Sequence, residues 1–594
     1  LINHYIRRVI ELNELNELKQ EYRVNGIRAP WLKNYGDVPH TLTYPDCTMV
    51  ELIEEAAQRY PKHCAYEFMG RKRNYSQFIS EIILCAKSLR AIGIRKNDVV
   101  TIALPNCPQG IIMFYAVNMM GAVANMIHPL SSEGEIAFYL KDSKSVCAIT
   151  LDQFYDKFAA VRGKVKLKKL IITSIKDALN TAMKIGYEVT QGRKIQKLPK
   201  NADIYHWKDF LDEGRRFIGQ YRAKQKADDV SAILYSGGTT GTTKGILLSN
   251  RNFNALALQV GAMSQVIEPG NAMLAVMPIF HGFGLGIGIH TVLAHGCRAI
   301  LLPRLVLKEY AKVLKRKRPN YIAGVPTLFE ALLRLDGMQK ADLSCLRGVF
   351  SGGDSLSMEL KKRIDTFLKE HKCKVEVREG YGLTECVTAS AINPYNVPKA
   401  GSIGFPLPDT YYKICKVGTT EEVPYGTEGE ICLTGPTVMI GYNNQPQETK
   451  NVLRKHPDGY TWLHTGDLGK MDEEGYLYFS QRLKRMIISS GYNIYPSQLE
   501  NVIDAHEAVQ MSCCIGIPHP YKIQAVKAFV MLKPGYEKSE AIKQSILEHC
   551  KKHIAKYALP TEIEIRDELP KTLVGKVAYR ILEEEEARKR AGKG

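Results

Sequence analysis

Ile233-Leu234-Tyr235-Ser236-Gly237-Gly238-Thr239-Thr240-Gly241-Thr242-Thr243-Lys244-Gly245 is the stretch that decides how this chain is read. An apolar strand runs into a loop of glycines and hydroxyls that ends in one lysine. Glycine lets backbone N–H groups turn inward and small hydroxyls add donors, so such a loop can wrap a polyphosphate. The lysine supplies a point charge for the phosphates. Thr243 stands where a Walker A loop needs glycine, and Ile246-Leu247-Leu248 continues as a second strand rather than a helix, so this is not a Walker loop.

The rest of the 594 residues fit a globular protein of about two to four domains. The chain is 45% hydrophobic and 24% charged, ordinary globular composition with ample material for buried cores. Its 81 Lys and Arg against 62 Asp and Glu give a net charge of +19, suited to polyphosphates or an anionic membrane surface. The basic residues are scattered, and the aromatic-basic interleaving of a nucleic-acid surface is missing. The 14 cysteines lack metal-knuckle spacing, with Cys513-Cys514 the one close pair, and read as reduced thiols of a cytoplasmic protein. The sequence starts at Leu1, so the true start is expected upstream; what is present begins polar, with no signal-peptide core. Val99 to Ser132 and Pro269 to Cys297 carry no Asp, Glu, Lys or Arg. Their prolines, histidines and glycines identify them as buried strand-and-helix segments of an α/β core rather than membrane spans.

Periodicity predicts stacked α/β layers from Met49 to Thr150 and again from Ala232 to Ile403. Between them, about Thr173 to Glu213 is more polar and reads as an insertion. Gly- and Pro-separated β segments from Tyr411 to Phe479 suggest a β-rich subdomain, and a new mixed unit begins after Arg485. It should carry strands near Ile515 and Ala528–Leu532, then a helix from Ser539 to His553.

The opening segment resembles the phosphate-loop signature of the adenylate-forming superfamily, which includes acyl-CoA synthetases, luciferases and peptide-synthetase adenylation domains. That family usually has proline where this chain has Thr243. Further family-like motifs follow in order. Ser351-Gly352-Gly353-Asp354 resembles the adenine-edge segment, and Gly380-Tyr381-Gly382-Leu383-Thr384-Glu385 the motif whose tyrosine stacks on adenine. There the threonine meets the α-phosphate and the glutamate helps hold Mg²⁺, a hard cation that suits carboxylate oxygen. Thr465-Gly466-Asp467 resembles the ribose-binding motif. Gln481-Arg482-Leu483-Lys484-Arg485 resembles the interdomain boundary, with Lys484 as the hinge. Ser490, Gly491 and Tyr492 fall where the family lines its coenzyme A tunnel. Pro570-Lys571-Thr572-Leu573-Val574-Gly575-Lys576 resembles the terminal signature with its catalytic lysine.

The resemblance spans about Met49 to Arg580 and implies an α/β protein with two parts. Residues 1–484 would form layered α/β subdomains with the β-rich subdomain at about 405–480, and 485–594 a small, mobile α+β domain. It implies ATP-dependent activation of a carboxylic acid, with Lys244, Thr384, Glu385 and Lys576 catalytic. Ser236, Gly237, Gly238, Thr239, Thr240, Gly241, Gly352, Gly353, Asp354, Gly380, Tyr381, Asp467 and Arg482 would bind the nucleotide. ATP, Mg²⁺ and coenzyme A are the implied cosubstrates and ion.

The acid is read from Pro278-Ile279-Phe280-His281-Gly282-Phe283-Gly284, which resembles a gate at the acyl pocket; His281, Gly282 and Gly324 are its expected residues. An apolar stretch replaces the aspartate that would hold an amino-acid ammonium, so an amino acid is disfavoured. Gly282, Gly284, Gly286 and Gly288 remove bulk and could leave room for an aliphatic chain, with close backbone packing in the core an equally open reading of each. The insertion resembles that of bacterial medium- and long-chain fatty-acid ligases. The expected protein is cytoplasmic, with a peripheral electrostatic contact at the inner membrane surface, no nucleic acid and no stable protein partner. Loading a carrier-protein phosphopantetheine, and acting on an aryl or other carboxylate, stay open as alternatives.

Overall fold

The computed structural model describes residues 23–190, 203–236, 243–335, 337–338, 341–489, 492–494, 496–519, 523–554, 558–572 and 576–591. Two large sheets carry the N-terminal part. One has eight strands, with Val99–Ala103, Val123–Met126 and Cys147–Leu151 at its centre and Val230–Ser236 and Lys244–Ser249 toward one edge. The other has nine, with Cys64–Phe68, Arg298–Leu301, Ala272–Ala275, Tyr321–Gly324, Gly348–Gly352 and Val377–Gly382 parallel to one another and antiparallel strands at both ends. Parallel strands covered on both faces read as continuous apolar runs, as Ala272–Ala275 does.

The uncharged window from Val99 becomes a strand, a turn, and the helix Pro108–Met119, in which all twelve residues are buried. Proline at its first turn needs no N–H partner, and a helix apolar all round belongs inside. Among the described residues no helix is long and apolar enough to cross a membrane. The second window gives the strand Ala272–Ala275 and then a π-helical run, Phe283–Thr291. Such wide turns are rare and cluster at functional sites.

The glycines of that run do not open the space expected of them. A Cβ at Gly282 would stand 1.7 Å from the Val387 carbonyl oxygen, and one at Gly284 2.1 Å from that of Pro278. Gly286 would meet Leu256 at 2.7 Å, and Gly288 alone has room. Close backbone packing, rather than chain accommodation, explains the first three. The polar segment after Thr173 also proves less separate than its composition suggests. Its strand Ile204–His206 joins the edge of the eight-stranded sheet beside Lys169–Thr173, and its helix Trp207–Arg216 packs on Tyr75–Ala91.

A five-stranded sheet follows, built from Tyr411–Cys415, Gly429–Thr434, Leu453–Lys455, Thr461–Met471 and Leu477–Arg482. The last sheet is made from residues beyond Arg485 alone: Ile487–Ser489, Tyr492–Ile494, Val509–His519, Ile523–Leu532 and Glu562–Arg566. The helix Glu540–His553, capped by Ser539, covers it.

Candidate active site

The carboxyl ends of the strands Val230–Ser236, Gly348–Gly352 and Val377–Gly382 meet at one cavity of about 1100 Å³. Ligands bind in the crevice at such strand ends. The five-stranded sheet contributes Asp467 and Arg482 to its wall, and the C-terminal part contributes Lys571, Thr572 and Lys576.

Gly353 turns the chain out of its strand at φ +83°, and a Cβ there would lie 3.5 Å from Lys576 Cε. The lysine therefore stands directly over the expected adenine-edge segment. Burial pulls its pKa below the usual lysine value, while Asp354 and Asp467 nearby favour the charged form. Tyr381 donates to Asp467 Oδ2 at 2.7 Å, and Arg482 Nε lies 3.4 Å from Asp467 Oδ1. Asp467 and Arg482 face each other across paired strands, so sheet register fixes the pair. Burial raises the Asp467 pKa and Arg482 opposes that rise. Gly382 has no space for a side chain, since a Cβ would sit 1.5 Å from the Thr388 carbonyl oxygen.

Thr384–Cys386 forms a 3₁₀ turn, closed by Val387 at φ +65° and ψ −59°. Thr388 N donates to Cys386 O across it at 2.7 Å, completing a γ-turn that is strained for a β-branched residue. The turn fixes Glu385 in the cavity wall, where Oε1 accepts from Tyr442 at 2.9 Å. Burial raises the Glu385 pKa. A desolvated carboxylate of this kind fits Mg²⁺, whose charge would favour its ionised form. Lys244 sits opposite, its ammonium 4.8 Å from the Tyr442 ring centroid and paired with Glu448.

The structure thus brings together Ser236, Lys244, Gly352, Gly353, Asp354, Gly380, Tyr381, Thr384, Glu385, Asp467, Arg482 and Lys576 on one cavity. Gly237, Gly238, Thr239, Thr240 and Gly241 lie outside the described residues, as do Ser490 and Gly491. Lys484 falls in the short 3₁₀ turn Leu483–Arg485 and Tyr492 in the strand Tyr492–Ile494. Of the three expected acyl-pocket residues, His281 lines the cavity. Gly282 packs on Val387 behind the wall, and Gly324 on Leu328, where a Cβ would stand 2.4 Å from Cδ2. His281 Nδ1 accepts from Phe283 N at 3.2 Å. Burial, with Lys576 nearby, pushes its pKa down to about 3, so the imidazole is neutral.

Several wall residues carried no motif of their own. Glu430 accepts from Gly466 N at 3.1 Å and contacts His464 Nδ1 at 2.8 Å, bracing the loop before Asp467. Glu430, Cys432 and His464 lie close enough to hold a metal ion, but both His464 nitrogens are already engaged, Nε2 with His456 at 2.9 Å. The position of His464 beside Thr465-Gly466-Asp467 was the one available signal for it.

From the Thr384 turn the cavity continues as an apolar branch between the nine-stranded sheet and the helices above it. Phe283, Ile287 and Thr291, one face of the π-helical run, line it with Val260, Ile267, Met273, Phe350 and Ile392.

The AMP-binding enzyme pattern matches residues 53–443, and the AMP-binding enzyme C-terminal domain matches 498–576. The chain belongs to the AMP-binding enzyme family. One relative in it, the long-chain-fatty-acid–CoA ligase of Bacillus subtilis strain 168, is 35% identical over 563 residues, covering 94% of this chain and 98% of that one. Among solved structures, ATP-bound MatB from Rhodopseudomonas palustris superposes with a TM-score of 0.77 at 25% identity, covering 91% and 99%. The anthranilate CoA ligase AuaEII, in complex with anthranoyl-AMP, superposes with a TM-score of 0.80 at 24% identity, covering 94% and 99%, and shares the fold.

Proposed function

We propose that this protein converts a medium- or long-chain fatty acid to its acyl-adenylate with release of pyrophosphate, then transfers the acyl group to coenzyme A, releasing AMP. The observation that carries this reading is one cavity joining the charged cluster of Lys576, Asp467, Arg482 and Glu385 to the apolar side chains of Phe283, Ile287, Val260, Ile267, Met273 and Ile392, among which no carboxylate stands in the described lining. A chain of methylenes gains about 0.8 kcal/mol for each CH₂ buried there, whereas an ammonium would find no counter-charge.

In the first half-reaction a carboxylate oxygen of the acid attacks the α-phosphorus and pyrophosphate leaves. Lys244 and Lys576 place positive charge where negative charge grows, and Tyr381 and Asp467 hold the nucleoside. Mg²⁺ held with Glu385 would supply further charge for the phosphates. The described arrangement, with Lys576 over Gly353, is read as the adenylating one. Residues 485–594 are the part proposed to turn about Lys484, taking Lys576 away and bringing Ser490, Gly491 and Tyr492 to the site for attack by the coenzyme A thiolate. The two-domain division at 484 is part of this proposal. So is a peripheral contact with anionic membrane, which rests on charge alone; co-sedimentation unaffected by anionic lipid would remove it.

The test is pyrophosphate release from ATP and Mg²⁺ with acids from acetate to palmitate, benzoate and amino acids, with and without coenzyme A. Fatty-acid-dependent release together with an acyl-CoA product is the expected result. A trapped adenylate with no thioester would overturn the coenzyme A step.

A further inference from the structure

Behind one wall residue of the apolar branch, Phe350, stands a charge that the proposed chemistry does not use. Phe350 and Arg378 are register partners on adjacent parallel strands. Alternate residues of a strand share a face, so Arg378 lies on the same side of the sheet as Gly380 and Gly382, which line the cavity. Phe350 lines it too, and the Arg378 guanidinium carbon stands 5.5 Å from its ring centroid. The Phe350 ring thus touches the branch and lies against the guanidinium.

Arg378 is 6% exposed. Its Nε donates to Asn393 O at 2.8 Å and Nη1 to Ser264 O at 3.2 Å, while Nη2 is buried with no partner. Tyr395 is stacked 5.9 Å away, and no carboxylate pairs with the arginine among the described residues. Burial pushes its pKa down to about 10, so it stays charged at neutral pH. A buried donor left unmade is costly, more so on a charged group. An apolar residue would close this wall at lower cost.

We infer that Arg378 receives an oxygen at the far end of the acyl chain, so that the site takes carboxylic acids whose distal terminus is a carboxylate or hydroxyl. The inference rests on the ligase reading and names its substrate class. A carboxylate is favoured, because a guanidinium offers it charge and paired N–H donors. Four strand residues from Gly382 to Arg378 span about 13 Å. Carbon–carbon bonds of about 1.5 Å advance an extended chain roughly 1.3 Å each, so a chain of roughly ten to twelve carbons reaches the arginine. A change of the Phe350 rotamer opens the contact.

The test compares dodecanoate, dodecanedioate and ω-hydroxydodecanoate as substrates of the full chain and its R378L and R378K variants, following pyrophosphate release. Direct calorimetry of each acid without ATP runs alongside. R378L should lower kcat/KM for the diacid by tenfold or more, mainly through KM, with dodecanoate within threefold and R378K intermediate. Thermal melts check folding, and R378K serves if R378L does not fold. Turnover of dodecanoate but not of the diacid by the unaltered protein, or equal losses for both acids, would overturn the inference alone. No turnover of any acid would sink the ligase reading instead. In that case Arg378-dependent binding of the diacid supports the inference, and binding unaffected by R378L overturns it.

Discussion

The two ends of the cavity are built on opposite principles. At the charged end, groups from four separate segments converge, three of them held by a partner: Tyr381 on Asp467, Tyr442 on Glu385, Glu448 on Lys244. At the acyl end the lining is a sheet face and one side of a π-helical run, an apolar surface shared among many side chains with Arg378 behind one of them. Chemistry is thus concentrated in a few irreplaceable atoms, while substrate fit is spread over many replaceable ones. Substitutions at the first end should cost rate, and at the second, stability or selectivity.

The largest expected effect is at Lys576. K576A should cut acid-dependent pyrophosphate release about 10²- to 10³-fold, the scale of losing one electrostatic stabiliser. Thioester formation from supplied acyl-adenylate should survive, and equal loss of both steps would break the two-state assignment. Its pH dependence has a definite sign. The lysine acts when protonated and its pKa is lowered, so adenylation should fall as pH rises, with a midpoint below 10.5. His281, at about 3, should add no limb near 6.5, and H281A should leave the profile's shape unchanged.

At the acyl end the contrast should appear as stability. G282A forces a Cβ to within 1.7 Å of a backbone oxygen and should cost at least about 3 kcal/mol in denaturant unfolding, beyond the usual range for single changes. G288A has 3.8 Å of clearance and should be neutral or stabilise by up to about 1 kcal/mol. Equal effects would mean that the π-helical run packs differently. The smallest effect belongs to E448Q. Releasing Lys244 should lower KM for ATP a few-fold, with a stability change under about 1 kcal/mol because Glu448 is half exposed. An unchanged KM would show that the pair is no competitor of the phosphates.

Lys244, Tyr381, Glu385, Asp467 and Lys576 were legible because polar chemistry needs given residue types at given spacings, and each lies in a short local pattern. The uncharged windows were equally readable as buried, since twelve successive interior positions leave no room for charge. The glycines after His281 stayed undecided in sequence, because a missing side chain means room or close contact according to what lies opposite, and Val387 and Pro278 are distant or unremarkable in sequence. Tyr442, Glu448 and Glu430 went unseen for the same reason: their roles exist only across sheet registers and loop contacts.

The sequence by itself determined the family, through motifs that resemble it, and the α/β layering, through burial patterns, because both are carried by short local stretches. Only the tertiary structure decided that Lys576 stands over Gly353, that Lys244 is paired with Glu448, and that Arg378 lies buried behind Phe350. Those facts depend on which atoms meet through space, and a buried guanidinium with no carboxylate beside it looks in sequence like any surface arginine.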